Sequence, residues 1–312
     1  MKPRFTLTQL ITILTFFVLL VVVSCVKENS QNGTAAQQEE QASMVSSEAD
    51  GEAESVFNDV FDDVMGVNDD VGMAGTGVFG RNSATGISDG INTQRLTACF
   101  TVSITHATNS VFPVKVVIDF GTTGCTGPDG RVRKGKIYIE YTNRLIYPGA
   151  VATITFYEFY VGDIKIEGTQ KITNTTSGTA NTINRQFTIE VTNAKLSKPN
   201  GDYTEWTSNK TITQIEGIGT PLFPRDDIFK IEGSSHGKVK KGNLLVAWES
   251  KITDPLIKKF ACFWIVQGTV KTVRLNTSST STWVAELDFG KGDCDNKAVI
   301  AINGVVHNIT LH

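Results

Sequence analysis

The sequence lacks the local motifs that mark the common catalytic and metal sites. Its four histidines include no His-Glu-x-x-His pair, which excludes the zinc-protease signature. It has no Gly-x-Ser-x-Gly, so the nucleophile elbow of the α/β-hydrolases is missing. With 8 Pro, 28 Gly and only 5 Cys in 312 residues, the composition also excludes collagen-like and disulfide-dense proteins. These absences predict a protein that is not an enzyme and carries no cofactor.

The first 24 residues have the organisation of a secretory signal. Lys2 and Arg4 precede an apolar run at residues 10–23, and no acid occurs before the run ends. This run is shorter than the roughly 20 residues that a membrane-spanning helix needs. A basic start, a short apolar core and small residues before a cleavage point are typical of an exported protein. We therefore expect residues 1–24 to be removed.

The cleavage point itself carries a cysteine. The run Val22-Val23-Ser24-Cys25 resembles the lipobox of bacterial lipoproteins. The resemblance implies that Cys25 receives a diacylglycerol and becomes the new N-terminus. The lipid would then anchor the protein to a membrane. Val26 stands where an inner-membrane retention signal has Asp, and this favours the outer membrane. The periplasmic and cell-surface sides remain open.

Charge divides the rest of the chain. Residues 26–95 carry thirteen acids against three bases, whereas residues 96–312 carry an excess of five bases. Residues 25–46 are polar and are expected to form a disordered tether. Residues 71–95 contain six glycines and are expected to form a linker.

Between tether and linker, residues 47–70 are acidic and contain no base. Val56, Val60 and Val64 recur four residues apart, which predicts a short amphipathic helix ending at Gly66. Three interpretations remain open for this helix. It docks on the basic body, binds a partner protein, or stays loose.

Residues 96–312 have the period-two alternation of antiparallel strands. We expect an all-β body of roughly twelve strands, arranged as a sandwich or as two stacked β-domains with long hairpins. The two halves would be residues 96–197 and 198–312. Asn303-Gly304 predicts a type I′ hairpin that places Ile300 opposite His307. An Ile-Glu-Gly phrase ending at Gly168, Gly217 and Gly233 indicates strand ends or bulges.

The four remaining cysteines fall in pairs along this body. Cys99 and Cys125 bracket the first hairpin region, and Cys262 and Cys294 bracket the last. Cys125 and Cys294 each follow an Asp-Phe-Gly phrase, which favours a duplication with one disulfide in each half. Four cysteines allow three pairings, and the other two stay open.

A few residues are candidates for ligand binding. Asp288, Asp293 and Asp295 carry oxygen ligands suited to Ca²⁺, although their spacing fits no EF-hand loop and a solvated turn accounts for them equally well. Trp206 and Trp248, together with Trp264, Trp283, Tyr157 and Tyr160, offer aromatic rings for a sugar, although such rings more often fill a core. Lys238, Lys240 and Lys241 are interpreted as a hairpin tip, so no nucleic-acid partner is expected.

Longer phrases suggest a family. Residues 125–131, residues 168–173 and residues 288–298 resemble stretches of uncharacterised Bacteroidota outer-membrane lipoproteins. The resemblance implies an exported, β-rich protein and supplies no activity. Our first hypothesis is a membrane-anchored lipoprotein with a structural or binding role and a protein or glycan partner. The alternative is a glycan-binding module or glycan-active enzyme of the cell surface.

Overall fold

The computed structural model describes residues 29–67, 71–72, 99–106, 110–177, 184–220, 224–275 and 283–311. The chain divides into two units between Ala42 and Ser43. In the first unit the described residues, 29–42, are helical. The second unit contains the remainder of helix α1 (Asn29–Gly66) and all of the described strands.

The fourteen strands of the second unit follow one another along the chain. They are β1 (Thr101–His106), β2 (Val114–Asp119), β3 (Cys125–Thr126), β4 (Val132–Tyr141), β5 (Val151–Val161), β6 (Ile164–Asn174), β7 (Gln186–Ser197), β8 (Tyr203–Glu216), β9 (Ile228–Lys241), β10 (Leu244–Lys259), β11 (Ile265–Arg274), β12 (Val284–Lys291), β13 (Lys297–Ile302) and β14 (Val305–Thr310). A 3-10 turn at Pro224–Asp226 precedes β9.

All of these strands belong to one antiparallel sheet. Each long strand pairs with its neighbour in the chain, and the short β3 pairs with β4. The all-β, antiparallel class with long hairpins and a preceding helix is therefore confirmed. The strands form one sheet rather than a sandwich or two stacked domains, because successive hairpins extend a single sheet from β1 to β14 without a break.

The last hairpin has the predicted geometry. Asn303 and Gly304 both have positive φ, at 50° and 79°, as a type I′ turn requires. Ile300 pairs with His307 and Ala298 with Ile309. The turn residues thus determine the register of β13 and β14.

Helix α1 ends at Gly66 as predicted, but it begins at Asn29 rather than near residue 47. Residues 29–46, expected within the disordered tether, are helical. The physical reason is local, because residues 34–42 are mainly Ala, Gln and Glu, which are strong helix formers. The proposed linker lies outside the described residues except for Val71 and Gly72.

The sheet encloses the part of α1 that belongs to its unit. From Ser43 to Gly66 every side chain is buried except those of Met44, Glu48 and Glu52, which are half-buried. The helix docks on the body, as the first of the three interpretations had it. Gly51 shows how closely they pack, since a β-carbon there would lie 2.8 Å from Leu287 Cδ2 on β12. A helix that is buried on nearly all sides serves as the core of the unit.

Irregular positions allow the sheet to bend around this helix. Pairing shifts register between Glu167 and Thr169 on β6, and between Gln267 and Thr269 on β11. Such bulges bend a strand and increase its twist. The Ile-Glu-Gly phrases meet this expectation. Gly168 lies in a bulge, Gly217 follows the end of β8, and Gly233 lies beside the irregular stretch of the β9–β10 pair.

One disulfide joins the segment before β1 to β3, and the other joins the β10–β11 loop to the β12–β13 loop. Cys99 is bonded to Cys125 and Cys262 to Cys294, with Cα atoms 5.2 Å and 5.7 Å apart. Of the three pairings that the sequence allows, this is the one with a bridge near each end of the body.

Candidate functional site

The two tryptophans proposed as ligand aromatics lie in the interior. Trp206 and Trp248 are buried, and their indole nitrogens donate to Asp50 Oδ1 at 2.8 Å and 3.2 Å. Ser235 donates to the same oxygen at 2.7 Å. Trp206 also stacks on Phe57 of the helix, with ring centroids 5.4 Å apart. The expectation of an exposed sugar platform at these two residues is therefore wrong, because their rings and N–H groups hold the helix.

Further acids of the helix are paired with bases of the strands. Glu54 forms an ion pair with Lys210 on β8. Asp62 lies 2.8 Å from Lys258 on β10, and both side chains are almost fully buried. Removing one member of such a buried pair leaves an uncompensated charge, at a cost of about 3–5 kcal/mol.

The largest ionic cluster joins the helix to β4. Asp59 accepts hydrogen bonds from Arg133, including one from Nε at 3.2 Å, and lies 3.1 Å from the Arg131 guanidinium. Asp129 accepts from Arg133 Nη2 at 2.7 Å. Burial opposes ionisation of Asp59, but Arg133 and then Arg131 outweigh it, so the pKa of Asp59 is lowered. The carboxylates of this cluster remain charged inside the fold.

For Lys210, in contrast to Asp59, the effect of burial on the pKa outweighs that of the neighbouring charges. Burial is the dominant influence on it and lowers the pKa of its ammonium group to about 8. The ammonium also lies 5.2 Å from the Trp206 ring centroid, within the range of a cation–π contact. These interior groups position the helix, since all of them are engaged with one another inside the sheet.

A different arrangement occurs on the outer face of β4 and β5. Tyr138 and Tyr157 are 40% and 60% exposed, so both rings are accessible from solvent. Lys136 pairs with Tyr157 across the strands, and Lys134 pairs with Tyr160. The Lys134 ammonium lies 4.3 Å from the Tyr160 ring centroid. We call the surface formed by Tyr138, Tyr157 and Tyr160 with Lys134, Lys136 and Glu158 the tyrosine face.

A bulge in β5 completes the tyrosine face. Register shifts between Thr155 and Phe159, and Glu158 has a positive φ of 43°, a strained conformation for a residue with a β-carbon. As a result Tyr157 and Glu158 are both exposed although they are consecutive. Strain of this kind persists where the surrounding structure imposes it, and it is frequent at functional sites.

Glu158 is held by two neighbours on this face. Lys165 donates to it at 2.9 Å and Tyr160 Oη at 3.2 Å. The hydrogen bond from Lys165 lowers the pKa of Glu158, so it presents a charged carboxylate beside the rings. The face thus combines flat apolar surfaces with fixed donors and acceptors.

A groove of about 420 Å³ lies along the side of the helix where Glu48 and Glu52 are half-buried. Val45, Ala49 and Leu311 form part of its lining. Its charged margin is already paired, because Lys198 lies 3.1 Å from Glu52 and Lys241 lies 3.2 Å from Glu48. The tyrosine face also has paired charges, since Lys136 lies 2.8 Å from Asp119, but it differs from the groove in its exposed aromatic rings.

The proposed calcium ligands are not brought together into a metal site. Asp288 Oδ1 accepts from the Gly290 amide at 2.8 Å, and Asp295 Oδ1 accepts from the Lys297 amide at 2.9 Å. Asp293 lines the same cavity as Asp288 and Asp295, but the three carboxylates do not form a cluster. Within the described residues, no group of three His, Cys, Asp or Glu side chains could hold a metal ion.

The comparisons with known proteins return no relative. No family model, no curated protein and no solved structure matches the chain. Among the described helices, none has the length and apolar character needed to cross a membrane.

The sequence contained a signal for one residue of the tyrosine face that we did not select. Tyr138 alternates with buried Ile137 and Ile139, and this pattern alone assigns it to the outer surface. Asp50, by contrast, is one of several similar acids in the sequence, and nothing local distinguishes it.

Proposed function

We propose that this protein is a membrane-anchored, exported lipoprotein with a non-enzymatic binding role, and that the tyrosine face is its binding surface. The observation that carries the proposal is the exposure of Tyr157 and Tyr138 at diagonal positions of the β4–β5 pair. Tyrosine presents a large amphipathic area at a small entropic cost, and it is enriched where proteins bind partners.

The anchor rests on Cys25 and its resemblance to a lipobox. An acylated Cys25 would hold the protein on the outer membrane by lipid chains, each buried CH₂ contributing about 0.8 kcal/mol. Mass spectrometry of the mature protein from membranes tests this. A Cys25 peptide that carries acyl chains supports the anchor, and an unmodified Cys25 in the membrane fraction contradicts it.

A glycan is the ligand that the chemistry of the face favours, in agreement with the second of our hypotheses. Aromatic rings stack on the apolar faces of sugar rings, and Glu158 with Lys134 can exchange hydrogen bonds with hydroxyl groups. These are the polar and apolar elements that fix the orientation of a small ligand. A protein partner is the other outcome of the test.

A glycan array probed with the full chain in detergent tests the ligand class. Binding should be lost in Tyr157→Ala and reduced in Tyr138→Ala. Tyr147→Ala is the matched control, because Tyr147 is 47% exposed but lies in the β4–β5 loop. A blank array would contradict the glycan and favour a protein partner. Equal loss in the Tyr147 variant would show that the tyrosine face is not the site, and release of reducing sugar would contradict a non-enzymatic role.

A further inference from the structure

Another cavity lies on the outer face of β9, β10 and β11, on strands other than those of the tyrosine face. It has a volume of about 440 Å³. Its exposed lining includes the polar residues Ser234, His236, Glu249, Lys251, Thr253 and Lys271, together with the apolar Val273. A cavity of this size accommodates one or two small ligand rings.

The strand pairing gives this cavity an unfavourable charge arrangement. Lys251 on β10 lies directly opposite Lys271 on β11. Like charges facing each other across an antiparallel pair destabilise a sheet. In the described part of the chain, neither of these two ammonium groups forms an ion pair, although Glu286 is the partner of Lys271 on the other side.

Other exposed lysines of the sheet are arranged differently. Lys238 lies 2.8 Å from Glu205, its partner on β8, and Lys171 lies 3.3 Å from Glu190, its partner on β7. These two lysines face a carboxylate across the strands, whereas Lys251 and Lys271 face each other inside a cavity. Departures from such local rules are concentrated at functional sites.

The geometry points to a binding site for an acidic sugar, a sugar ring that carries a carboxylate or a sulfate. The oxyanion would lie between Lys251 and Lys271 and relieve their repulsion. Ser234, Thr253 and His236 line the rest of the cavity and supply partners for ring hydroxyls. Glu249, on the same surface, accepts hydrogen bonds from hydroxyls, so a hydroxylated anion fits this cavity better than a bare inorganic ion does.

Ligand-observed NMR on the full chain in detergent tests the site. The probes are glucuronate for the carboxylate, N-acetylglucosamine 6-sulfate for the sulfate, and glucose as the neutral control. We expect at least one acidic sugar to bind and glucose to give no saturable signal. The Lys251→Gln/Lys271→Gln double variant should weaken binding about tenfold or more, which corresponds to the loss of one charge-assisted hydrogen bond.

The matched control is Lys171→Gln/Lys115→Gln, which removes two exposed lysines from the outer face of other strands. It should leave binding unchanged, and circular dichroism should show both double variants folded. Binding of only one acidic probe identifies the oxyanion and supports the site. Absence of binding for both acidic probes, equal binding of glucose, or equal affinity in the Lys251/Lys271 variant would overturn it. None of these outcomes depends on the tyrosine face, because no residue is shared.

Discussion

Replacing Asp50 by alanine removes the acceptor of three hydrogen bonds in the interior of the sheet. Trp206, Trp248 and Ser235 all donate to Asp50 Oδ1, from strands β8, β10 and β9. In Asp50→Ala the three donors remain buried, and no carboxylate is left at that position to accept their hydrogens. The variant therefore removes hydrogen bonds between the helix and three strands at once.

The size of the effect follows from the number and kind of these bonds. A hydrogen bond to a charged group contributes about 1.5–3 kcal/mol. Three such bonds at one atom are not additive, because they share an acceptor. Removing a buried carboxylate also removes its own desolvation cost, which offsets part of the loss. We expect the free energy of unfolding of Asp50→Ala to fall by about 3–5 kcal/mol.

Two further variants make the reasoning specific. Asp50→Asn keeps an acceptor oxygen in place and should cost about 1–2 kcal/mol. Glu167→Ala changes an exposed acid on β6 and should stay within about 0.5 kcal/mol of the native protein. Urea unfolding followed by tryptophan fluorescence measures all three, because two of the four tryptophans contact the altered residue. A loss below about 1 kcal/mol for Asp50→Ala, or equal losses for Ala and Asn, would refute this account of the interior.

Two other predictions concern pH and the disulfides. Burial raises the pKa of Asp227 to about 7 from an ordinary value of 3.8, against the lowering effects of Arg185 and the Gln214 hydrogen bond. The folded state therefore binds more protons than the unfolded state between about pH 4 and pH 7, so stability should fall as pH rises through this window. Denaturant midpoints across it should show the slope, and Asp227→Asn should flatten it. Cys262→Ser/Cys294→Ser opens a loop with a sequence separation of 32 and should lower the unfolding free energy by about 3–4 kcal/mol on the chain-entropy model, whereas an unchanged midpoint would contradict that contribution.

The strands could be predicted because their signals are local. Alternation of apolar and polar residues identified the all-β body, and Asn303-Gly304 determined the last hairpin and its register. The enclosure of the helix was not predictable in the same way. The sequence left docking on the basic body as one of three interpretations, because the bases that pair with the helix acids lie far along the chain. Arg133, for example, is 74 residues from Asp59.

Part of the tyrosine face could be predicted from the sequence. Tyr157 was among the aromatic candidates, and alternation assigns Tyr138 to the outside. The sequence could not predict that Glu158 belongs to the tyrosine face, because the orientation of its side chain depends on a bulge opposite Gly135. A β-carbon on Gly135 would collide with the backbone of Glu158, so the close approach of two strands decides this position. Such an approach is a property of the paired sheet and leaves no periodic signal.

The buried ion pairs restrict the position that the helix can occupy inside the sheet. A sheet lined only by apolar residues would accept an apolar helix in several registers. Here Asp50, Glu54 and Asp62 have their own partners on β8, β9 and β10, so a shift by one turn would displace each carboxylate by about 5.4 Å. Each displaced ion would lose a partner while staying buried, at several kcal/mol apiece. Because buried ion pairs add little net stability over apolar packing, their effect lies in excluding the wrong registers. The acidic segment and the basic body carry opposite net charge and are in this way complementary parts of one core.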